Sequence, residues 1–198
     1  ITATSGTLDL GSSTVSLVSA SSVANNNSSI AISGTGTLLG SSATVNMAAT
    51  LNSTTERYFN NATSAVCSIG TVNYTTGSVT APFKLNGPWR ITTLNVSGGK
   101  TVYIGTYGVT VSNYVEIGTL NIGSGCTLQG RTFANPSTAV AASGTIFNTG
   151  VVQQLEGVDI QDITFNGSDV FLGSGCTIRS GVRGAKRSPR RQGVMVAL

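Results

Sequence analysis

The stretch Asn121-Ile122-Gly123-Ser124-Gly125-Cys126-Thr127-Leu128 returns fifty residues later as Phe171-Leu172-Gly173-Ser174-Gly175-Cys176-Thr177-Ile178. A looser copy occupies residues 96–102. Apolar residues two positions apart flank each corner, which is typical of strands with one buried face. The glycines between them allow a tight corner. A corner that recurs in this way predicts the coils of a β-solenoid, which stack at the ordinary strand spacing of about 4.8 Å.

The same frame extends along the chain as a Thr followed by an apolar residue, at intervals of 24 to 30 residues. Repeats of this length indicate stacked structural units. The fold class is therefore predicted to be all-β, a parallel β-helix (β-solenoid) of about seven coils with 24–30 residues per coil. Chance is the alternative for the whole ladder, because Thr is abundant. One buried column is predicted to hold Val15, Val45, Val72, Val102, Leu128, Val152 and Ile178.

The composition agrees with stacked coils. Of 198 residues only 9% are charged and 25 are glycine. Charged residues are awkward in a solenoid because equivalent side chains lie one above another, where like charges repel. No apolar run approaches the roughly 18 residues of a membrane-spanning helix. We predict one body over residues 1–182, with irregular excursions at 52–66 and 82–90, the latter because prolines are confined to strand edges, starts and loops.

The C-terminal segment differs from the body in charge. Residues 179–198 carry six basic residues and no acid, whereas residues 1–178 carry five basic and seven acidic residues. Residues 183–198 are predicted to form a basic and apolar arm outside the stack, because its like charges would repel there. The arm would dock on an acidic partner, be a solvated end or be a proteolytic site; phosphate binding and nuclear import are further alternatives. The candidate partner-binding residues are Lys186, Arg187, Arg190 and Arg191. Nucleic acid is not an expected partner, since aromatic residues are missing from the basic run.

The three cysteines, Cys67, Cys126 and Cys176, are predicted to be free thiols. Their odd count argues against a full disulfide framework. Cys126 and Cys176, two coils apart, would be separated by about 9–10 Å, beyond the reach of a disulfide of about 7 Å. Their spacing and the absence of histidine also argue against a zinc site.

The sequence offers few groups for catalysis. Without histidine there is no Ser-His or Cys-His nucleophile system. Four of the seven acids fall within residues 156–169, and paired carboxylates there could hydrolyse a glycosidic bond. Asp159 and Asp162, however, are three residues apart, so a regular strand points them to opposite faces. We therefore predict no catalytic residues, no metal site and no cofactor.

Two phrases resemble known repeat proteins. Residues 158–167, Val-Asp-Ile-Gln-Asp-Ile-Thr-Phe-Asn-Gly, resemble the strand-and-turn phrase of right-handed parallel β-helix proteins of the pectin-lyase-like group. Residues 120–125 resemble the repeats of bacteriophage tail fibres and tailspikes and of secreted bacterial adhesins. The resemblance specifies a coil, and fold likeness by itself does not confer an activity.

What the resemblance implies is a structural or receptor-binding component of a bacteriophage virion that is not an enzyme and is located on the virion or outside the cell. Expected partners are further copies of the chain, a trimer among them, other virion proteins, or a cell-surface glycan. Glycan contacts are expected at Trp89, Tyr103 and Tyr107. The alternatives are a polysaccharide-degrading tailspike domain, a secreted adhesin or a surface filament protein. Ice binding through the Thr ladder is disfavoured, because only one Thr per coil lines up.

Seven Asn-x-Ser/Thr sequons complete the pattern: Asn26, Asn27, Asn52, Asn61, Asn73, Asn95 and Asn166. Chance accounts for most of them in a chain so rich in these residues. They would be usable only in a glycosylating secretory pathway.

Overall fold

The structure, a computed structural model, describes residues 1–17, 29–47, 57–75, 83–107, 114–123, 125–135, 138–141, 144–148, 153–155, 158–161, 163–167, 170–172, 176–178 and 182–187. These residues form strands and no helix. The strands are β1 (Thr2–Ala3), β2 (Thr7–Asp9), β3 (Thr14–Ser16), β4 (Ser29–Ile32), β5 (Thr37–Leu39), β6 (Thr44–Asn46), β7 (Arg57–Asn61), β8 (Cys67–Tyr74), β9 (Phe83–Asn86), β10 (Trp89–Val96), β11 (Thr101–Tyr107), β12 (Tyr114–Ile122), β13 (Thr127–Asn135), β14 (Thr138–Ala141), β15 (Gly144–Asn148), β16 (Gln153–Leu155), β17 (Asp159–Gln161), β18 (Ile163–Gly167), β19 (Val170–Leu172), β20 (Thr177–Ile178) and β21 (Ala185–Arg187).

Two large sheets run along the stack. The first wall has the order β1-β4-β7-β9-β11-β13-β17-β20, with β14 antiparallel to β13. The second wall has the order β18-β15-β12-β10-β8-β6-β3 and is parallel. Smaller parallel sheets are β2-β5 and β16-β19-β21. Since sheet neighbours come from successive passes of the chain, the prediction of an all-β parallel β-solenoid is confirmed. The count of about seven coils stays a prediction.

The predicted apolar column is split between the two walls. Val15, Val45 and Val72 are in register in the second wall, where Leu94 and Leu120 continue them. In the first wall the column runs Val102, Leu128, Ile160, Ile178. Val152 lies outside the described residues.

The single column is wrong because one pass of the chain carries two such motifs. The pair Thr93-Leu94 lies in the second wall and Thr101-Val102 follows in the first wall, across a corner of only a few residues. The two motifs have the same residue types, so spacing alone does not distinguish them. The prediction of a buried Ile178 is also wrong: the side chain is 42% exposed, because β20 is the last strand of the first wall.

The core lies between the walls and is filled by inward-facing aliphatic and aromatic side chains. Phe59 packs edge-on against Phe83, with ring centroids 4.8 Å apart. Trp89 lies beside the same Phe59 ring at 5.4 Å. Aromatic pairs in these arrangements stabilise a core beyond the burial of their area.

Both predicted excursions contribute strands to the first wall instead. β7 lies within residues 52–66 and pairs with β9 from residues 82–90. The chain turns between the walls at Gly87, whose φ of +87° is a conformation that glycine adopts at least cost. A Cβ there would also overlap the carbonyl oxygen of Asn61. Pro88 therefore marks a corner next to a regular strand, and Pro82 lies outside the described residues.

Regular pairing continues past residue 182, the end of the predicted body. Arg183 donates its backbone N–H to the carbonyl of Ile163 at 3.0 Å and accepts one from Phe165 at 3.0 Å. β21 then pairs in parallel with β19. Residues 183–187 are accordingly part of the stack, and the rest of the predicted arm lies outside the described residues.

Candidate functional site

The predicted glycan contacts do not form one surface. Trp89 is fully buried, and its indole N–H donates to the carbonyl of Asn86 at 2.9 Å. A glycan on the outer surface cannot reach this ring, so the prediction for Trp89 is wrong. Tyr103 is half-buried in β11, between Lys84 and Gln129 in adjacent strands. Tyr107 is the last residue of the same strand, and its side chain is not among those that the structure describes.

Of the predicted partner-binding residues, Lys186 and Arg187 lie in β21 on the stack, next to Phe171 and Leu172 of β19. Arg190 and Arg191 lie outside the described residues. β21 pairs with an uncharged strand, so no two basic residues are in register at this pairing. A role in partner binding for these four residues stays a prediction.

The acidic residues are dispersed in the described part of the chain. Glu116 forms an ion pair with Arg90 of the neighbouring strand, with 2.5 Å between Oε2 and Nε. Asp159 begins β17, and Asp162 lies outside the described residues. Among the described residues, no three His, Cys, Asp or Glu side chains lie close enough together to hold a metal ion.

None of the three cysteines takes part in a disulfide, as predicted. Cys126 and Cys176 occupy equivalent positions on rungs separated by the one that contains Val158, because Thr127, Asp159 and Thr177 follow them in register. The predicted spacing of two rungs is confirmed.

Cys67 has a defined structural environment. It is fully buried, and its sulfur accepts from the backbone N–H of Leu38 and from Asn61 Nδ2, each at 3.4 Å. Burial raises the pKa of the Cys67 thiol, while the bond from Leu38 acts in the opposite direction. Asn61 Nδ2 also lies within hydrogen-bond distance of the carbonyls of Ala65 at 2.7 Å and Pro88 at 2.9 Å, so its two N–H groups are shared among the three acceptors. The hydrogen bonds of this cluster stabilise the corner between β7 and β8, and the cluster is not arranged as a reactive site.

A row of polar side chains is buried on the first wall. Lys84, Asn86 and Gln129 are 3%, 4% and 6% exposed, and the neighbouring Phe83 and Leu85 belong to the core. Asn86 is in register with Asn60. The Oδ1 atoms of these two asparagines are buried without a hydrogen-bond partner. Buried acceptors of this kind commonly bind ordered water molecules.

The most regular surface of the described residues is the outside of the second wall. Five strands repeat Thr-apolar-Ser or Thr-apolar-Asn, and their apolar residues face the core. We call the outward residues the Thr/Asn facet. It consists of Thr14, Thr44, Thr71, Thr93 and Thr119 in one column and Ser16, Asn46, Asn73, Asn95 and Asn121 in the next.

The asparagines of the facet form a hydrogen-bonded ladder. Asn73 Nδ2 donates to Asn46 Oδ1 at 2.8 Å, Asn95 donates to Asn73 at 2.7 Å, and Asn121 donates to Asn95 at 2.8 Å. All three bonds run in the same direction along the stack. The ladder links four strands through side chains in addition to their backbone pairing.

Sequence reasoning missed the facet because it assigned Thr101 and Thr127 to the same column as Thr71. The signal was present in the third residue of each motif. The second-wall motifs end in Ser or Asn, whereas the motifs at 101–103 and 127–129 end in Tyr and Gln. Sorting the motifs by that residue separates the walls.

The described residues contain no helical segment with the length and hydropathy needed to span a bilayer. No protein family, no curated protein and no solved structure matches the chain.

Proposed function

We propose that the protein is a structural or receptor-binding component of a bacteriophage virion, of the tail-fibre or tailspike type, and that it is not an enzyme. The observation that carries this proposal is the continuous parallel pairing of strands in the second wall from β3 to β18. Such stacking produces a repetitive body in which each unit is stabilised by its neighbours. The body supplies a rigid spacer and leaves its outer facets available for contacts.

The side-chain ladder supports a structural role. Every bond in the ladder connects a different pair of rungs, at sequence separations of 27, 22 and 26 residues. Net contributions of hydrogen bonds of this kind are about 1 kcal/mol each. They add to the backbone bonds in resisting separation of the strands along the axis, which is the load that a fibre carries.

Assembly with partners is supported by the end of the first wall. Among the strands that the structure describes, the last one in this wall, β20, has a neighbour on one side only, and Ile178 within it is exposed. Unpaired strand edges readily accept another strand. The uneven charge of the sequence, with six basic and no acidic residues in 179–198, favours an acidic partner surface close to this end. The proposed partners are further copies of the chain in a homotrimer, through the exposed strand edge, or another virion protein that offers such an acidic surface.

The proposal is tested on native particles. Phage purified from the source culture by density gradient should contain peptides of this chain at a constant ratio to the major capsid protein. Purified protein should also bind host cells and compete with the phage for adsorption. Recovery of the peptides in the cell-envelope fraction, with none in the particles, would favour the adhesin or surface filament instead.

Enzymatic degradation is tested separately. Purified protein is incubated with host capsule and pectin-type glycans, and reducing ends and unsaturated products are measured. We expect neither to increase above the level found with heat-denatured protein. An increase that is lost in Asp159→Asn would establish the polysaccharide-degrading alternative.

A further inference from the structure

The Thr/Asn facet repeats in two directions. Along the stack, equivalent side chains recur at the strand spacing of about 4.8 Å. Across the stack, the Thr column and the Ser/Asn column are two residues apart on the same face, which is about 6.6 Å in a parallel strand. The facet therefore presents a two-dimensional array, five rungs long in the described residues.

The ladder also opposes twisting of this array. β-sheets ordinarily twist, and flat sheets are typically stabilised by stacking or by specific side-chain ladders. Bonds of 2.7–2.8 Å between successive asparagines hold the rungs in a common orientation. The facet combines regular spacing with a side-chain ladder of the kind that stabilises flat sheets.

The chemistry of the array is uniform. Each Thr carries a hydroxyl and a methyl on a β-branched side chain, which has few rotamers. Asn73 and Asn95 each use one N–H and one lone pair of Oδ1 in the ladder, and an amide then retains one further N–H and one further lone pair. The facet has no charged residue, and the ion pair Arg90–Glu116 lies beyond it in the same strands.

A partner for such a surface should itself be uncharged, rich in donors and acceptors, and periodic in two dimensions. A soluble glycan chain repeats in one direction only. The first wall does not offer the same array, because its Thr column is interrupted by Asp159 between Thr127 and Thr177. The second wall alone meets all of these requirements among the described residues.

We propose that the Thr/Asn facet binds the surface of ice crystals. Ice presents an uncharged lattice of donors and acceptors that repeats in two dimensions. Hydroxyls and free amide groups would join this lattice, and methyl groups would lie in its hollows. Only one Thr per coil lines up, which disfavoured ice binding in the sequence. The adjacent asparagine column compensates for this, because it supplies the second dimension of the array. This activity is additional to a role in the virion and does not depend on it.

The test uses the purified full chain. Thermal hysteresis and inhibition of ice recrystallisation are measured for the wild type, Thr93→Tyr and Thr71→Tyr, each of which places a large ring in the middle of the array. The matched control is Thr92→Tyr, since Thr92 is exposed in the same strand as Thr93 but belongs to neither column. Circular dichroism and thermal unfolding establish that each variant is folded.

We expect hysteresis in the wild type, retention in Thr92→Tyr and loss of most of the activity in both array variants. Wild-type protein without hysteresis and without inhibition of recrystallisation at millimolar concentration would overturn the proposal. Equal activity in the array variants and the control would overturn it as well, because binding would then lie elsewhere. Two array variants are made so that misfolding of one leaves the other to decide.

Discussion

At the scale of single residues, Leu128 and Ile178 occupy the same column with opposite exposure. Leu128 is fully buried and Ile178 is 42% exposed. Truncation of a buried Leu costs about 2–5 kcal/mol, through lost burial and the cavity that remains. We expect Leu128→Ala to lower the free energy of unfolding by that amount and Ile178→Ala to lower it by less than half as much. Urea denaturation measures both, and equal losses would show that Ile178 is covered in solution.

The Cys67 thiol predicts a dependence of stability on alkaline pH. Because burial raises the pKa above the ordinary value of 9.0, the folded state retains the proton after the unfolded state has lost it. The stabilisation is complete below pH 9.0 and is lost as the pH rises through the folded-state value. We expect the unfolding free energy of the wild type to fall more steeply above pH 9.0 than that of Cys67→Ala. Parallel curves would contradict this.

Two sequons of the Thr/Asn facet are incompatible with glycosylation in the folded chain. The Nδ2 atoms of Asn73 and Asn95 each donate one N–H within the ladder, and a sugar on the remaining N–H would crowd the amide of the next rung, about 4.8 Å away. In a glycosylating secretory host, we expect Thr75→Ala and Ser97→Ala, which remove the sequons without changing the ladder residues, to raise the yield of folded protein. The yield from bacterial cytoplasm serves as the control and should not change. Glycan found on folded wild type at either position would contradict the ladder.

At the scale of the elements, the ladder can be made sensitive to pH. In Asn95→Asp the ionised carboxylate can accept from Asn121 but cannot donate to Asn73. The protonated acid can donate, so folding favours it and the folded-state pKa of the new Asp is raised. We expect the variant to be most stable at acidic pH and to lose stability as the pH rises through that value. Asn95→Ala, which removes both bonds, is the control and should lack this dependence.

The strands themselves could be predicted from period-2 alternation, and their assignment to walls could not. Alternation identifies a buried side chain within one strand, as for Val45 between Thr44 and Asn46. It contains no information on which other strand is the neighbour. That depends on corner length, and the corner between β10 and β11 is short enough to bring two similar motifs close together in sequence. Burial of Trp89 was likewise missed, because it depends on Phe59 from another coil.

At the scale of the whole molecule, the C-terminal segment predicts two different deletions. Removal of residues 183–198 eliminates β21 and the backbone bonds of Arg183, whereas removal of 188–198 leaves both. We expect the shorter deletion to leave the midpoint of thermal unfolding nearly unchanged. The longer deletion should lower it by several degrees, since 1 kcal/mol corresponds to about 2–4 °C at this size. Equal midpoints for the two deletions would show that residues 183–187 belong to the arm and not to the stack.

The solenoid as a whole was predictable because stacking imposes one repeated requirement, an inward apolar residue at each rung. The candidate sites were less so. The absence of a disulfide between Cys126 and Cys176 followed from rung spacing. The Thr/Asn facet required the true register, and Asn61 gave no local signal of its contact with Cys67 across a corner. Long-range contacts of this kind depend on how corners fold.

The corner between β10 and β11 has a consequence for protein engineering. Successive ladder asparagines stay in register although 27, 22 and 26 residues separate them. The length of the rod therefore depends on the number of stacked strands and not on the number of residues in each corner. Gly98 and Gly99 are exposed at the tip of this corner, with φ of +73° and +70°. A foreign peptide inserted between them would be displayed on the side of the rod without shifting any rung, and tandem insertions at successive corners would be spaced at multiples of one strand width.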